Sequence, residues 1–139
     1  MMVLTPYDYA RKKVVYCWLD EPVREVARRL VEENIGSMIV DNREGKHVGM
    51  ITDIVIFNAI SSYMDVCNLK VGDLKLESLV MASMNTSIDE VMDKFKKTGA
   101  SRIALLDDDG QIAGVLKKKN LDRFARFDAG ERLFKQSRR

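Results

Sequence analysis

The feature that most constrains this chain is an internal repeat with a shift of 65 residues. Gly45 and Gly49 recur as Gly110 and Gly114, and the apolar residues around them recur without a gap. Identity between the two copies is low, but apolar character is kept at almost every matched position. Such a repeat indicates two similar structural units. Because there are only two copies, it predicts a pseudo-symmetric pair and not an extended solenoid.

Each copy predicts the same element order, β-α-β-β-α. A short apolar run is followed by a helix with apolar residues at i, i+3, i+4 and i+7. A buried strand, a turn that contains glycine, a second strand and a second helix complete the copy. The predicted strands are 14–16, 37–40 and 48–51 in the first copy, and 79–81, 102–106 and 112–116 in the second. The apolar helix residues are Val23, Val26, Ala27, Leu30, Ile54, Phe57, Ile60 and Met64, then Ile88, Val91, Met92, Phe95, Leu121, Phe124 and Ala125.

These elements predict an α+β fold. Two three-stranded sheets, each backed by helices, are expected to pack sheet to sheet around a pseudo-twofold axis. We expect the first unit to span residues 13–68, the second 76–128, and a basic tail 129–139. Ser87 and Glu90 predict a capping box at the first helix of the second copy, where the first copy has Pro22.

Composition and motifs indicate a protein of the cytoplasm without catalytic chemistry. The chain is 46% hydrophobic, yet it has no apolar run long enough to span a membrane and no apolar signal segment at its start. Cys17 and Cys67 lack the spacing of metal ligands. The single histidine, His47, falls in a predicted turn, and no phosphate loop of the Gly-x-x-x-x-Gly-Lys kind is present. We therefore expect no enzyme, no catalytic cofactor and no metal site.

Three sequence motifs recur in the two copies. The first copy carries DEPV at 20–23, IGSMIVD at 35–41 and GMITDI at 49–54. The second carries NTSI at 85–88, GASRIALLD at 99–107 and GVLKKKN at 114–120. This ordered set resembles the cystathionine-beta-synthase (CBS) domain family in its tandem arrangement. The resemblance implies a stand-alone Bateman module that regulates rather than catalyses. It also implies an adenosine-type ligand in the cleft between the units: AMP, ADP, ATP, S-adenosylmethionine or NAD.

The family's ligand motif has a hydroxyl residue and, three positions later, an aspartate that can hold both ribose hydroxyls. In the first copy these positions hold Thr52 and Val55, with Asp53 between them. In the second copy they hold Lys117 and Asn120, and an asparagine can use its amide but carries no charge. Neither copy therefore has the full pair.

A basic residue on the strand after the first helix reaches the ligand phosphate in some family members. Arg102 resembles it, and Ser37 is its counterpart in the first copy. A guanidinium suits phosphate oxygens, although a surface arginine on an edge strand is the equal alternative. These differences predict two unequal clefts, one with Thr52 and Arg102 and the other with Lys117 and Asn120. The predicted nucleotide-binding residues are Val15, Ser37, Thr52, Asp53, Val80, Ser101, Arg102, Lys117, Lys118 and Asn120.

The resemblance also implies partners. These are a second copy, in a disc-like homodimer formed through helix faces, and an effector protein that the sequence does not identify. The candidate contact residues are Ile54, Phe57, Ile60, Met64, Leu121 and Phe124.

Two other functions stay open at this stage. The missing ribose aspartate also fits a structural dimerisation module with degenerate ligand sites. The excess of Lys and Arg over residues 117–139 also fits a nucleic-acid-associated protein, although no RNA motif or zinc spacing supports that function. A solvated terminal helix is the simpler interpretation of this charge.

Overall fold

The computed structural model describes residues 4–122 and shows the β-α-β-β order twice. The first copy contains β1 (Tyr16–Trp18), α1 (Val23–Glu32), β2 (Ser37–Asp41), β3 (His47–Thr52) and α2 (Asp53–Ser61). The second contains β4 (Met81–Ser83), α3 (Ile88–Thr98), β5 (Arg102–Leu106), β6 (Ile112–Lys117) and helical residues 118–122. Short 3-10 turns are formed by Pro6–Tyr9, Val66–Asn68 and Val71–Asp73. The predicted α+β class with two three-stranded sheets is confirmed.

Each sheet has the strand after its first helix at the centre. In the first sheet, β2 lies parallel to β1 and antiparallel to β3. In the second sheet, β5 has the same relation to β4 and β6. The register shifts after Val40 in one sheet and after Leu105 in the other, 65 residues apart. The repeat therefore extends to the register of individual residue pairs.

The opening strands begin two residues later than the sequence predicted. Val15 and Val80 lie just before β1 and β4, and each joins the central strand through its carbonyl oxygen. The N–H of Ile39 donates to Val15 at 2.9 Å, and the N–H of Ala104 donates to Val80 at 2.8 Å. Residues 14–15 and 79–80 therefore precede each strand and are not part of it.

The turns between the paired strands depend on glycine, as predicted. Gly45 and Gly110 have φ angles of +79° and +78°, in the left-handed region that side chains with a Cβ rarely adopt. Their N–H groups donate to the carbonyls of Asn42 and Asp107, at 3.1 and 3.0 Å. The two turns therefore have matching geometry.

Each sheet has its own core on the side that faces its helices. In the first copy, Met38 and Val40 from β2 pack with Val26 and Leu30 from α1. In the second, buried residues of β5, β6 and α3 pack with a helical residue from 118–122. They are Val91, Phe95, Ile103, Leu105, Leu116 and Leu121.

The predicted capping box forms only in part. Ser87 Oγ accepts from the N–H of Glu90 at 3.1 Å and so caps α3. The Glu90 carboxylate accepts from the hydroxyl of Thr86 at 2.7 Å, and this is the side-chain contact it makes at the helix start. Pro22 is the N-cap residue of α1, at the position that matches Ser87.

The repeat also includes two entry segments that the sequence comparison missed. The N–H of Thr5 donates to Asp8 Oδ2 at 2.7 Å, and the N–H of Lys70, 65 residues later, donates to Asp73 Oδ2 at 2.9 Å. The first segment continues to Arg11, which pairs with Val115 of β6. The second continues to Glu77, which pairs with Met50 of β3.

The chain therefore divides into two compact units that are not simply its two halves. The first unit is residues 14–79, and the second is residues 80–122 together with residues 4–13. The predicted units, 13–68 and 76–128, left residues 4–12 outside both. The sequence missed this because the entry segments share turn-forming residues and not an apolar period.

Close backbone approach explains the glycines that follow the turns. A Cβ at Gly49 would lie 3.1 Å from the Glu77 carbonyl oxygen, and a Cβ at Gly114 would lie 3.1 Å from that of Arg11. In both cases the neighbour is backbone, which cannot rotate away as a side chain can.

We predict that Gly49→Ala and Gly114→Ala each lower the free energy of unfolding by about 1–3 kcal/mol, the usual cost of overpacking. Chemical denaturation monitored by circular dichroism measures the loss. The control is Val48→Ala, at an exposed position of the same strand. If this control were as destabilising as Gly49→Ala, the close approach would not be the cause.

Candidate ligand site

One end of the second sheet brings four of the predicted residues together. Arg102, at the start of β5, is paired in register with Lys117, at the end of β6. The N–H of Lys118 donates to the Ser101 carbonyl at 2.9 Å and closes the same end of the sheet. We call these four residues, Ser101, Arg102, Lys117 and Lys118, the cationic strand end.

Arg102 is a buried cation. Only 7% of the residue is exposed and β5 is the central strand, so the alternative of a surface arginine on an edge strand is wrong. Its Nη1 donates to Ser101 Oγ at 3.5 Å, a long contact that uses one of five guanidinium N–H donors. Burying a charge is costly unless it is paired, and a like charge opposite on the next strand adds repulsion. An anion bound at this strand end would reduce both costs.

The matching end of the first sheet has no Lys or Arg. Ser37 is paired in register with Thr52, and the N–H of Asp53 donates to the Gly36 carbonyl at 3.2 Å. Thr52 is fully buried, and its Oγ1 accepts from the N–H of Val55 at 3.2 Å, which caps α2. In the first unit this strand end therefore carries neutral side chains, Ser37 and Thr52, and the helix that follows begins with an acidic one, Asp53.

The register groups the predicted residues differently from the sequence analysis. The sequence analysis divided Arg102 and Lys117 between two clefts, whereas the register makes the two residues partners across β5 and β6. The sequence could have shown this, since a hairpin closed at Gly110 brings the start of one strand opposite the end of the next.

The two positions of the ribose aspartate are engaged elsewhere. Val55 is buried in the core of the first unit. Asn120 is partly buried, and its Nδ2 donates to the carbonyl of Tyr9 at 3.2 Å. Tyr9 belongs to the N-terminal entry segment, so no comparison limited to the two repeats could have found this contact.

The remaining predicted residues lie nearer the helices. The side chains of Val15 and Val80 are partly buried and pack against the cores of their own units. Asp53 is exposed, and its Oδ1 accepts from the N–H of Ile54 at 2.8 Å. The Asp53 side chain also lines a hollow between α1 and α2.

His47 was expected in a turn, but it is the first residue of β3. Its Nδ1 bonds with Asp41 Oδ1, and its ring stacks on Tyr16 with the centroids 5.8 Å apart. Burial, and then the Asp41 carboxylate, raise the pKa of Tyr16. Within residues 4–122, no three His, Cys, Asp or Glu side chains are grouped as a metal site would require.

Comparison with known proteins decides the family. A model of the CBS domain matches residues 7–62 and 71–126, which together are most of the chain. The chain belongs to the CBS domain family. The matched ranges begin within the entry segments, which agrees with the extended repeat seen in the structure.

Solved structures share the fold of this CBS pair. The CBS domain pair of protein MJ0100, solved with 5'-methylthioadenosine and S-adenosyl-L-methionine, is 20% identical, with a TM-score of 0.74 over 91% of this chain and 99% of that one. The CBS domain protein PAE2072 from Pyrobaculum aerophilum, solved with AMP, is 16% identical, with a TM-score of 0.70 over 85% of this chain and 90% of that one. At this identity the likeness is one of fold.

Curated relatives are longer than this chain. A homoserine O-acetyltransferase of Methanococcus vannielii is 22% identical over 102 residues, which are 73% of this chain and 21% of the relative. The chain spans between about a fifth and three fifths of the curated relatives it matches. The match therefore covers only part of each of these relatives.

Several predictions about surfaces are limited or corrected by the structure. Leu121 had been proposed for a dimer contact, but it is only 1% exposed and lies in the core of the second CBS unit. Phe124, Ala125 and the basic tail 129–139 lie outside the described residues. Within residues 4–122, no helix has both the length and the apolar character that crossing a membrane requires.

We predict that Thr52→Val lowers the free energy of unfolding by about 1 kcal/mol, because it removes the hydroxyl that caps α2 and keeps the side-chain shape. Thermal denaturation measures the change. Thr52→Ser keeps the hydroxyl and serves as the matched control. Equal stability of Thr52→Val and the native protein would contradict the capping role.

The two thiols are predicted to differ in reactivity. Cys17 is buried, and burial, followed by the nearby Glu21 carboxylate, raises the pKa of its thiol to about 12, whereas Cys67 is exposed. A thiol reagent should modify Cys67 in the folded protein and Cys17 only after denaturation.

Because the folded pKa of Cys17 exceeds the unfolded value near 9, its contribution to stability is complete below pH 9 and is lost as the pH rises toward 12. Cys17→Ala should remove that part of the pH dependence, and unchanged dependence would contradict the assignment.

Proposed function

We propose that this CBS pair is a non-catalytic regulatory module that binds an adenosine-type ligand through a phosphate group. The observation that carries the proposal is the cationic strand end, where the buried Arg102 lies opposite Lys117. Guanidinium donors match phosphate oxygens in geometry, and a lysine beside them adds a second positive charge.

The family supplies the class of ligand, and the residues of this chain supply the choice within that class. CBS pairs of the same fold have been solved with AMP, and with methylthioadenosine and S-adenosylmethionine. S-Adenosylmethionine carries a sulfonium cation, which two adjacent cations would repel. AMP, ADP, ATP and NAD carry phosphate, so we place them ahead of S-adenosylmethionine for this chain.

Recognition of the ribose is expected to be weaker than recognition of the phosphate. Neither unit has a carboxylate at the ribose position, and the Nδ2 of Asn120 already donates to Tyr9. Hydrogen bonds to the ribose hydroxyls are thereby lost, because a side-chain amide that already donates to the backbone has fewer donors left for a ligand. We therefore expect affinity that depends strongly on the number of phosphate charges.

The regulatory step would rest on differential affinity. A ligand alters a protein's conformational equilibrium only as far as it binds one state better than the other. The hydrogen bond from Lys118 to Ser101 joins the start of a helix to the strand end at Arg102. A phosphate at Arg102 would therefore favour one position of that helix, which an effector protein could recognise.

We predict that the protein binds AMP, ADP, ATP or NAD measurably in calorimetry, and binds adenosine more weakly than AMP. Arg102→Met keeps an unbranched side chain and removes the charge, so it should weaken binding of the phosphate ligand about 10-fold or more, the usual value of a charge-assisted hydrogen bond. Lys97→Met, which removes an exposed positive charge on α3, is the control and should leave the affinity unchanged.

Two results would overturn this proposal. Equal binding of adenosine and AMP would remove the role of the phosphate, and equal loss in Arg102→Met and Lys97→Met would remove the role of the strand end. If none of these ligands, nor S-adenosylmethionine, binds at all, a structural association module becomes the better function. The burial of Val55 and the engaged amide of Asn120 are the observations that favour that second candidate.

A further inference from the structure

The N-terminal entry segment, residues 4–13, is docked on the second unit at several points. The N–H of Arg11 donates to the carbonyl of Val115 at 2.9 Å, and the N–H of Val115 donates back to Arg11 at the same distance. Three side chains of the segment pack against the core of this unit: Tyr7, Tyr9 and Ala10. The segment is therefore held from both its backbone and its side chains, so its backbone can orient a neighbouring group.

The side-chain amide of Asn120 is such a group. Asn120 follows Lys117 by three residues at the start of the last described helix, so the two side chains lie on the same side of that helix start. The Nδ2 of Asn120 donates to the carbonyl of Tyr9 at 3.2 Å. A carbonyl oxygen can only accept, so it selects the nitrogen end of the amide and fixes the position of Oδ1.

The bond to Tyr9 leaves a defined pair of polar groups on Asn120. It uses one of the two Nδ2 donors, and the second N–H and Oδ1 remain for a ligand. An amide can offer its oxygen and one N–H together to two neighbouring groups, as asparagine does at the edge of adenine. The two hydroxyls of a ribose are such a pair, because one can donate while the other accepts. An oriented amide therefore suits this diol without carrying a charge.

The first unit has the same backbone docking without the polar contact. Its entry segment pairs Glu77 with Met50, and their N–H groups donate to each other's carbonyls at 3.0 and 2.9 Å. By the 65-residue repeat, Leu74 stands in the place of Tyr9 and Val55 in the place of Asn120. Both are buried apolar residues of the first core. The first unit therefore provides an internal control for any effect that depends on Asn120.

We propose that the N-terminal entry segment is a positioning element of the ligand site, in which the Tyr9 carbonyl orients Asn120 toward the ribose hydroxyls. The proposal rests on the proposed binding of an adenosine-type ligand by the second unit. By linkage, a docked segment strengthens the binding of the ribose, and a bound ribose strengthens the docking by the same factor. The factor should be about 2- to 10-fold, the usual value of one neutral hydrogen bond.

Calorimetry with AMP and with 2′,3′-dideoxy-AMP, which lacks both ribose hydroxyls, tests the proposal. The native protein should bind AMP about 2- to 10-fold more tightly than the dideoxy compound. Asp8 is exposed, and its Oδ2 accepts from the N–H of Thr5 at 2.7 Å, which holds the turn that carries Tyr9. Asp8→Ala should therefore bring the two affinities together. Asp73→Ala removes the equivalent bond from Lys70 in the first unit, and this matched control should keep the native ratio.

Asn120→Asp provides a second variant that acts on the side chain itself. A carboxylate cannot donate to the Tyr9 carbonyl, but it can accept from both ribose hydroxyls. Its preference for AMP over the dideoxy compound should therefore persist when Asp8→Ala is added, whereas the native preference should not. A segment with a purely structural role would lower both affinities equally and leave their ratio unchanged.

Hydrogen exchange measured by NMR tests the reciprocal half of the coupling. Saturating AMP should slow exchange of the Arg11 N–H, which donates to Val115, more than saturating dideoxy-AMP does. The Glu77 N–H, in the matching pair of the first unit, should not distinguish the two ligands. Equal slowing at Arg11 by both ligands would contradict the coupling.

Two results in calorimetry would overturn the proposal while the phosphate site stands. One is equal affinity of the native protein for AMP and dideoxy-AMP. The other is a ratio that Asp8→Ala leaves unchanged or that Asp73→Ala lowers as much. Failure of the proposed function gives a different result, because then neither compound binds at all.

Discussion

The pairing of each central strand with the strand that follows it is the constraint on which the rest of this structure depends. A turn with a left-handed glycine sets the register, so that the first residue of one strand lies opposite the last residue of the next. One face of the pair then carries the core residues of its unit. At the open end the register places Arg102 beside Lys117 in one unit and Ser37 beside Thr52 in the other.

The same frame carries different chemistry in its two copies. The strand end of the second unit holds two cations, and the helix that follows it begins with charged residues. In the first unit the strand end is neutral, and the helix is apolar on its outer side. The matched ends of the two units therefore differ in charge, although their backbone pairing is the same.

Sequence reasoning succeeded where local pattern and fold agree. The β-α-β-β order, the glycine turns and the apolar helix residues follow from periodicity, which responds to burial on one side. It was wrong about Leu121, because one helical residue at the right period can face either its own core or a partner. It also misplaced His47, since a polar residue next to a turn can begin a strand when a carboxylate such as Asp41 is opposite. Arg102 was undecided because nothing local distinguishes a central strand from an edge strand.

The sequence by itself determined that the chain is two copies of one unit, and at which matched positions the copies differ. That information is local and periodic, so it survives without coordinates. Only the tertiary structure decided the surroundings of those positions. It buried Arg102 on the central strand of its sheet, directed the amide of Asn120 to Tyr9, and assigned each entry segment to a sheet. The reason is physical. The position of an entry segment depends on hydrogen bonds between residues far apart in the chain, and side-chain identity constrains those bonds only weakly.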